Sequence, residues 1–242
     1  MWQRSWVVRS AALVAAFIAL WPTVAPAETA GPEAWFRQFP IPTRASQPRS
    51  IGVGPDGNVW FTEQAGNRIG RLGRDGRITE FPLPTPFATP SDITVGPDGA
   101  LWFTEASAGQ IGRITTAGAL TEFAIPQRPS GPDSITTGPD GNLWFTEQFN
   151  HQIGRITLAG VISEFPTPTP FAGPIDIVSG PDGALWFTEY NADRIASITP
   201  SGVITEYPSI PGSGPYGIAA GPRRTIWFTE FDANRIAGAR VP

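Results

Sequence analysis

Five times along the chain two large apolar residues stand side by side and are followed by Thr-Glu. The pairs are Trp60-Phe61, Trp102-Phe103, Trp144-Phe145, Trp186-Phe187 and Trp227-Phe228. Successive residues of a β-strand point to opposite faces, so a strand carrying Trp next to Phe is apolar on both faces and must be covered on both. Each pair is set in the same frame. A small-residue run such as "SIGVG" precedes it, "RIGRL" follows it, and "ITEFPLP" comes last. The turns "PDG" and "DGR" divide these segments, with Gly supplying the positive φ that a tight turn needs. Every unit therefore predicts four short strands, and the Pro-rich segment "PTPFATP" carries the chain onward, since Pro cannot extend a ladder.

The five tryptophans are spaced 42, 42, 42 and 41 residues apart. A repeat of this length means an array of supersecondary units, and four strands per unit predict a β-propeller, in which each blade is sandwiched between two others. The expected fold is all-β, a five-bladed propeller of four-stranded antiparallel blades at about 49–85, 91–127, 133–169, 175–209 and 215–241. The fifth unit reaches "NRIAGARVP" without an "ITEF" segment. At the other end, "FRQFPIP" aligns with "ITEFPLP": Phe39 precedes Trp60 by the same 21 residues by which Phe81 precedes Trp102. The spacing predicts that the N-terminal strand, residues 36–42, completes the last blade and closes the ring, leaving one domain over 36–242.

Residues 1–27 read as a Sec-type signal peptide. Arg4 and Arg9 precede the apolar "AALVAAFIALW", which is short for a membrane span, and Ala25-Pro26-Ala27 is a small-x-small cleavage signal. Residues 28–35 are expected to be a flexible lead-in. The expectation is an exported protein, periplasmic or secreted, with no stable membrane anchor once the peptide is removed. Cleavage takes two arginines and no acid, moving the formal charge from −4 to −6. An acidic chain without a basic run is not built to bind nucleic acid. Cysteine is absent and all seventeen basic residues are arginine, which excludes disulfides, thiolate nucleophiles and Schiff-base chemistry. A closed ring without edges is expected to be a monomer.

The repeat "GPDGNLWFTE…QIGRIT…ITEFPLPTP" resembles the streptogramin B lyase (virginiamycin B lyase) family over nearly the whole mature chain. Members are usually seven-bladed, against five copies here. The resemblance implies linearisation of a cyclic depsipeptide without water: a general base removes an α-proton, the ester oxygen leaves from the β-carbon, and Mg²⁺ stabilises the developing charge. It places the catalytic histidines directly after the Pro that leads into an innermost strand, positions held here by Arg49, Ser91, Asp133, Ile175 and Tyr216. A metal-binding Glu two residues earlier corresponds to Gln47, Thr89, Gly131, Gly173 and Gly214. A second Glu after the WFTE tetrad corresponds to Gln64, Ala106, Gln148, Tyr190 and Phe231.

Candidate chemistry therefore has to come from residues that differ between units. The repeated Glu63, Glu105, Glu147, Glu189 and Glu230 are expected to satisfy backbone or Arg donors within their blades, with Arg68, Arg71, Arg113, Arg155, Arg194 and Arg235 nearby. His151, the only histidine, lies between the second and third strands of the third unit, where other copies hold Arg68 or Gln110. With Asp133 it is the candidate acid or base. The rim of crossing loops is the expected ligand site, with Arg49, Asp133, Tyr216, Tyr190, Gln148 and Phe231 as binding residues for a small molecule or protein at the channel mouth. Phe87, Phe149 and Phe171 add aromatic surface. Asp92, Asp133 and Asp176 are the candidate ligands for Mg²⁺ or Ca²⁺. Three functions follow: a binding propeller without the lyase site, a Mg²⁺-dependent C–O lyase, or a metal-dependent lactonase-type hydrolase. The fifth unit departs from the rest by carrying Arg223-Arg224 in place of Asp-Gly.

Overall fold

The computed structural model describes residues 37–241; the predicted signal peptide and lead-in lie outside them. Among the described residues nineteen strands form five antiparallel sheets in chain order. The first blade is β1 (Pro48–Val53), β2 (Val59–Glu63), β3 (Arg68–Leu72) and β4 (Ile78–Pro82). The second is β5 (Pro90–Val95), β6 (Leu101–Glu105), β7 (Gln110–Ile114) and β8 (Leu120–Ala124). The third is β9 (Pro132–Thr137), β10 (Leu143–Glu147), β11 (Gln152–Ile156) and β12 (Ile162–Pro166). The fourth is β13 (Pro174–Ser179), β14 (Leu185–Glu189), β15 (Arg194–Ile198) and β16 (Ile204–Pro208), with one 3-10 turn at Tyr190–Ala192. The fifth holds β17 (Pro215–Gly221), β18 (Thr225–Glu230) and β19 (Arg235–Arg240). The first strand of each blade is innermost and runs beside the first strand of the next.

The apolar pairs do what two-sided burial requires. Trp60, Trp102, Trp144 and Trp186 face the following blade, while Phe103, Phe145, Phe187 and Phe228 face the preceding one. Each interface thus joins a Trp and an Ile of one blade to Ile, Leu or Ile, and Phe of the next, as in Trp60, Ile69, Ile93, Leu101, Phe103 and Ile114. A ring from the outer strand stacks on each Trp: Phe81 on Trp60 at 5.6 Å, Phe123 on Trp102, Phe165 on Trp144 and Tyr207 on Trp186. The "GPDG" turn also serves the Trp. Asp56, Asp98, Asp140 and Asp182 each accept the indole N–H at 2.9–3.2 Å. In the fifth blade, where Arg223 stands for Asp, Thr225 Oγ1 accepts it instead at 3.1 Å.

One expectation fails. Among the described residues the last sheet has three strands, and residues 37–42 form no strand in it; Phe36 lies outside the described residues. The reason is visible at Thr43. Its N–H and hydroxyl bind the Glu80 carboxylate at 2.9 and 3.1 Å, as Thr85 binds Glu122 and Thr169 binds Glu206. The N-terminal segment thus enters the first blade as every crossing segment enters the next one. This leaves Phe39 and Ile41 beside Ile51, Val59 and Phe61 of the first blade. On the first and fifth blades Ile51 is 70% exposed and Trp227 48%.

Candidate functional site

Every inner strand begins Pro-x-x-Ile, and every one has its register irregularity across those two residues, between Pro48 and Ile51 in the first blade and at the equivalent places in the others. A bulge frees side chains from the ladder and re-aims them, here into the channel. The Thr of each WFTE tetrad holds the bulge. Thr62, Thr104, Thr146 and Thr188 accept the N–H of Ser50, Asp92, Ser134 and Asp176. They donate to the carbonyls of Ser91, Asp133, Ile175 and Tyr216 in the next blade at 2.7–2.9 Å. A repeated side chain thereby fixes the variable ones.

The two bulge positions form two layers. The deeper layer alternates Ser50, Asp92, Ser134, Asp176 and Gly217. Ser50 donates to Asp92 at 2.6 Å, and Ser134 lies 3.2 Å from Asp92 and 2.8 Å from Asp176. Asp92 also accepts the N–H groups of Ile93 and Ile135, and Asp176 those of Ile177 and Ile218. These carboxylates stitch neighbouring inner strands together. Asp133 belongs to the other layer, one residue earlier in register, and although all three carboxylates border the same cavity, Asp92 and Asp176 spend their oxygens on inner-strand N–H groups and Asp133 pairs with Arg49. Among the described residues no group of three His, Asp or Glu is placed to hold a metal ion. The positions that the resemblance assigns to metal-binding Glu are Gln47, Thr89, Gly131, Gly173 and Gly214. They share positive φ of 52–62° and none is acidic. The residues present do not fit a Mg²⁺ site.

The other layer is Arg49, Ser91, Asp133, Ile175 and Tyr216, and the two layers together line a cavity of about 250 Å³ at the mouth. Arg49 reaches across it. Its Nη1 donates to Ser91 Oγ at 2.5 Å and its Nη2 pairs with Asp133 Oδ1 at 2.6 Å. Burial raises the proton affinity of Asp133, and the Arg49 guanidinium opposes that rise. A second cavity of similar size adjoins on the rim side, sharing Arg49, Asp133 and Tyr216 and adding Gln148, Phe149 and Tyr190. Tyr190 meets Tyr216 edge-on at 6.2 Å, and Phe231 lies 5.8 Å from Tyr216 on its other side. The six rim residues expected from the sequence, Arg49, Asp133, Tyr216, Tyr190, Gln148 and Phe231, fall in this one region. Phe87 and Phe171, both largely exposed, line neither cavity.

His151 stands elsewhere. Its φ of 55° is the left-handed slot that Asn67, Gly109, Asp193 and Asn234 fill in the other blades, so its counterparts are these residues and not Arg68 or Gln110. Its Nδ1 accepts the N–H of Gly173 at 3.2 Å, and its ring meets Phe171 edge-on at 5.4 Å. Asn67 accepts the N–H of Ala88 and Asp193 those of Gly212 and Gly214, the same service to the following crossing loop. His151 is a loop cap and does not line the mouth.

The WFTE glutamates also differ from expectation. Glu63, Glu105, Glu147 and Glu189 are fully buried, and each faces an outer-strand carboxylate seventeen residues on: Glu80, Glu122, Glu164 or Glu206. Burial, with the neighbouring charge, pushes Glu63 and Glu147 up to about 7 and Glu105 and Glu189 up to about 8. Gln152 bridges Glu147 and Glu164 at 3.1 and 2.9 Å. Arg235 pairs with Glu230 at 3.0 Å, whereas Arg194 turns to Glu206. The constant spacing of seventeen was the available signal for these acid pairs.

With this geometry established, comparison with known proteins is specific. The model of the virginiamycin B lyase family matches residues 14–241. Virginiamycin B lyase from Staphylococcus aureus is 43% identical, with a TM-score of 0.79, covering 84% of this chain and 72% of its own. A catalytically inactive variant of the Staphylococcus aureus enzyme with quinupristin is 46% identical, with a TM-score of 0.80, covering 82% and 68%. A structure described as a streptogramin B lyase is 40% identical, with a TM-score of 0.79, over 85% and 72%. No curated protein matches the chain. The chain belongs to the virginiamycin B lyase family.

Proposed function

We propose that this chain is a binding propeller whose channel mouth takes a small cyclic or peptide-like ligand bearing aromatic groups, without the elimination chemistry of the lyases it resembles. The observation that carries this reading is the Arg49–Asp133 ion pair. Both residues occupy positions where the resemblance expects histidine, and the pair ties up the buried carboxylate of the mouth that would otherwise serve as base. Arg49, Asp133 and Gln148 offer charge-assisted and amide hydrogen bonds, and Tyr190, Tyr216, Phe149 and Phe231 offer aromatic faces. Such a mixture suits an amide-rich ligand with rings. A Staphylococcus aureus relative was solved with quinupristin, which makes that compound the natural probe. Export follows from Arg4, Arg9, the apolar stretch and Ala25-Pro26-Ala27, and N-terminal sequencing of the mature protein tests it.

Titration calorimetry with quinupristin should show binding that weakens in Tyr216→Ala, while chromatography after long incubation shows intact cyclic compound. β-Elimination opens the ring without changing mass, so retention time and absorbance are the readouts. Accumulation of the ring-opened isomer would establish the lyase reading instead, and absence of binding would remove both.

A further inference from the structure

Each crossing loop is pinned from the preceding blade by the residue in the left-handed slot just before the third strand. The slot is one backbone feature repeated. The carbonyls of Asn67, Gly109, His151 and Asp193 accept the N–H groups of Leu83, Ile125, Thr167 and Ser209 at 2.9–3.1 Å. In three blades the slot residue also sends a side-chain acceptor into the loop. Asn67 takes the N–H of Ala88 at 2.7 Å, His151 that of Gly173 at 3.2 Å, and Asp193 those of Gly212 and Gly214 at 2.7 and 2.9 Å. In the second blade the slot holds Gly109, with φ of 60°, which has no side chain to send.

The loop on the far side is nonetheless shaped to meet one. A β-carbon on Gly109 would stand 2.9 Å from Ser130 Oγ and 3.8 Å from Arg128 Nε. Ser130 is 1% exposed, and its Oγ has no hydrogen-bond partner among the described residues. Buried hydroxyls are ordinarily bonded, so this one points to a missing acceptor. Over Gly109 opens a cavity of about 340 Å³, bordered by Ala106, Arg128, Ser130 and the ring of Phe149, which is 59% exposed. Among the described residues that border it, Arg128 alone is ionisable, which favours an anion.

The fourth blade shows what such a slot accepts. Ser213 repeats the place of Ser130: their carbonyls accept the N–H groups of Asp232 and Phe149 at 3.1 Å. There the slot residue is Asp193. Burial opposes its charge, yet the N–H groups of Gly214 and Gly212 hold its carboxyl below the ordinary Asp value.

We propose that the Gly109 slot is a second binding site, taking the carboxylate of a small aromatic acid in the place that the Asp193 carboxylate fills in the fourth blade. The carboxylate accepts from Ser130 Oγ, from the Arg128 guanidinium and from the loop N–H groups that Asn67, His151 and Asp193 cap elsewhere. The ring lies along Phe149. This cavity shares Phe149 with the channel mouth but not Arg49, Asp133 or Tyr216, so the site stands whether or not the mouth binds quinupristin.

Titration calorimetry with millimolar benzoate tests this, with benzamide as the neutral analogue of the same shape. Benzoate should bind one to one, and benzamide roughly tenfold more weakly for want of the charge. Gly109→Asp supplies the cap from the chain itself, as Asp193 does at a φ of 52°, and should abolish benzoate binding. Arg128→Gln and Ser130→Ala should each weaken it by roughly three- to tenfold, and they keep the test decisive if Gly109→Asp folds poorly. Absence of benzoate binding to the parent chain overturns the inference, as does benzamide binding equally well. So does benzoate binding that persists in a folded Gly109→Asp or is unchanged in both loop variants.

Discussion

Arg49 of the first blade and Asp133 of the third meet across the channel mouth, Nη2 to Oδ1 at 2.6 Å, bypassing the second blade except for Ser91. Asp133 is the more buried partner, its side chain 16% exposed against 38% for Arg49. Removing the arginine leaves a buried carboxylate without its counter-charge, which costs more than losing the pair as a whole. Arg49→Ala should therefore lower stability by roughly 1–2 kcal/mol, a figure reduced for the solvent around Arg49. Adding Asp133→Asn to it should restore part of the loss. Urea unfolding of the two single variants and the double variant checks this cycle.

Thr146 is fully buried and makes two bonds, from Ser134 N–H at 3.1 Å and to the Ile175 carbonyl at 2.9 Å. Thr146→Val keeps the shape and strips both, leaving a buried donor and acceptor unpaired, so it should cost about 1–3 kcal/mol. Thr229 holds the same repeat position but is exposed, so Thr229→Val in the monomer should stay within about 0.5 kcal/mol. Equal losses in the two variants would contradict the role assigned to the bridging hydroxyl.

His151 is replaceable if it serves only as a cap. Asn tolerates positive φ and offers an acceptor, and Asn already fills this slot at Asn67 and Asn234. His151→Asn should leave the melting temperature and quinupristin binding unchanged, while His151→Ala should lose about 0.5–1 kcal/mol through strain and the lost bond to Gly173. A His151→Asn variant that binds normally but loses a ring-opening activity would return the histidine to the chemistry.

The blades were legible because the same pattern of apolar residues recurs with a nearly constant period, and two adjacent large side chains leave a strand no solvent face. The rim was legible for the converse reason: positions that vary within a constant frame are released from packing. Closure by the Phe39 segment was not: Thr43 binds Glu80 of the first blade, a contact the spacing alone did not show. Strand pairing depends on where the fifth blade lies in space, which is set by the angle between blades and leaves no trace in a period. Nor did the acidity of Asp92 and Asp176 reveal that N–H groups of the next blade would occupy their oxygens, since a one-residue bulge decides which side chain faces the mouth.

Those N–H groups make a metal prediction. Asp92 and Asp176 each take backbone donors from two blades and a Ser hydroxyl. A divalent cation would have to displace them. Millimolar Ca²⁺ or Mg²⁺, and EDTA, should leave the melting temperature unchanged, because binding to the native state alone would raise it. A metal-dependent rise abolished by Asp176→Asn would overturn this account of the carboxylate layer.

The buried acid pairs make stability depend on pH in an unusual direction. Glu63 and Glu147 are held near 7, and Glu105 and Glu189 near 8, against 4.5 for an unperturbed Glu. Between pH 4.5 and these values the folded chain binds more protons than the unfolded one, so stability falls as pH rises through the window. The contribution is whole below about pH 4.5 and gone above about pH 8. Asp56, Asp98 and Asp140, held below 3.8 by hydrogen bonds from the Trp indoles and neighbouring groups, act the other way but only in stronger acid. The melting temperature should therefore be on the order of 5 °C higher at pH 5 than at pH 8. Glu105→Gln with Glu189→Gln should flatten that slope, since an amide needs no proton to stay neutral. A melting temperature that instead climbs from pH 5 to pH 8 would mean that these carboxyls fold as anions with cationic partners.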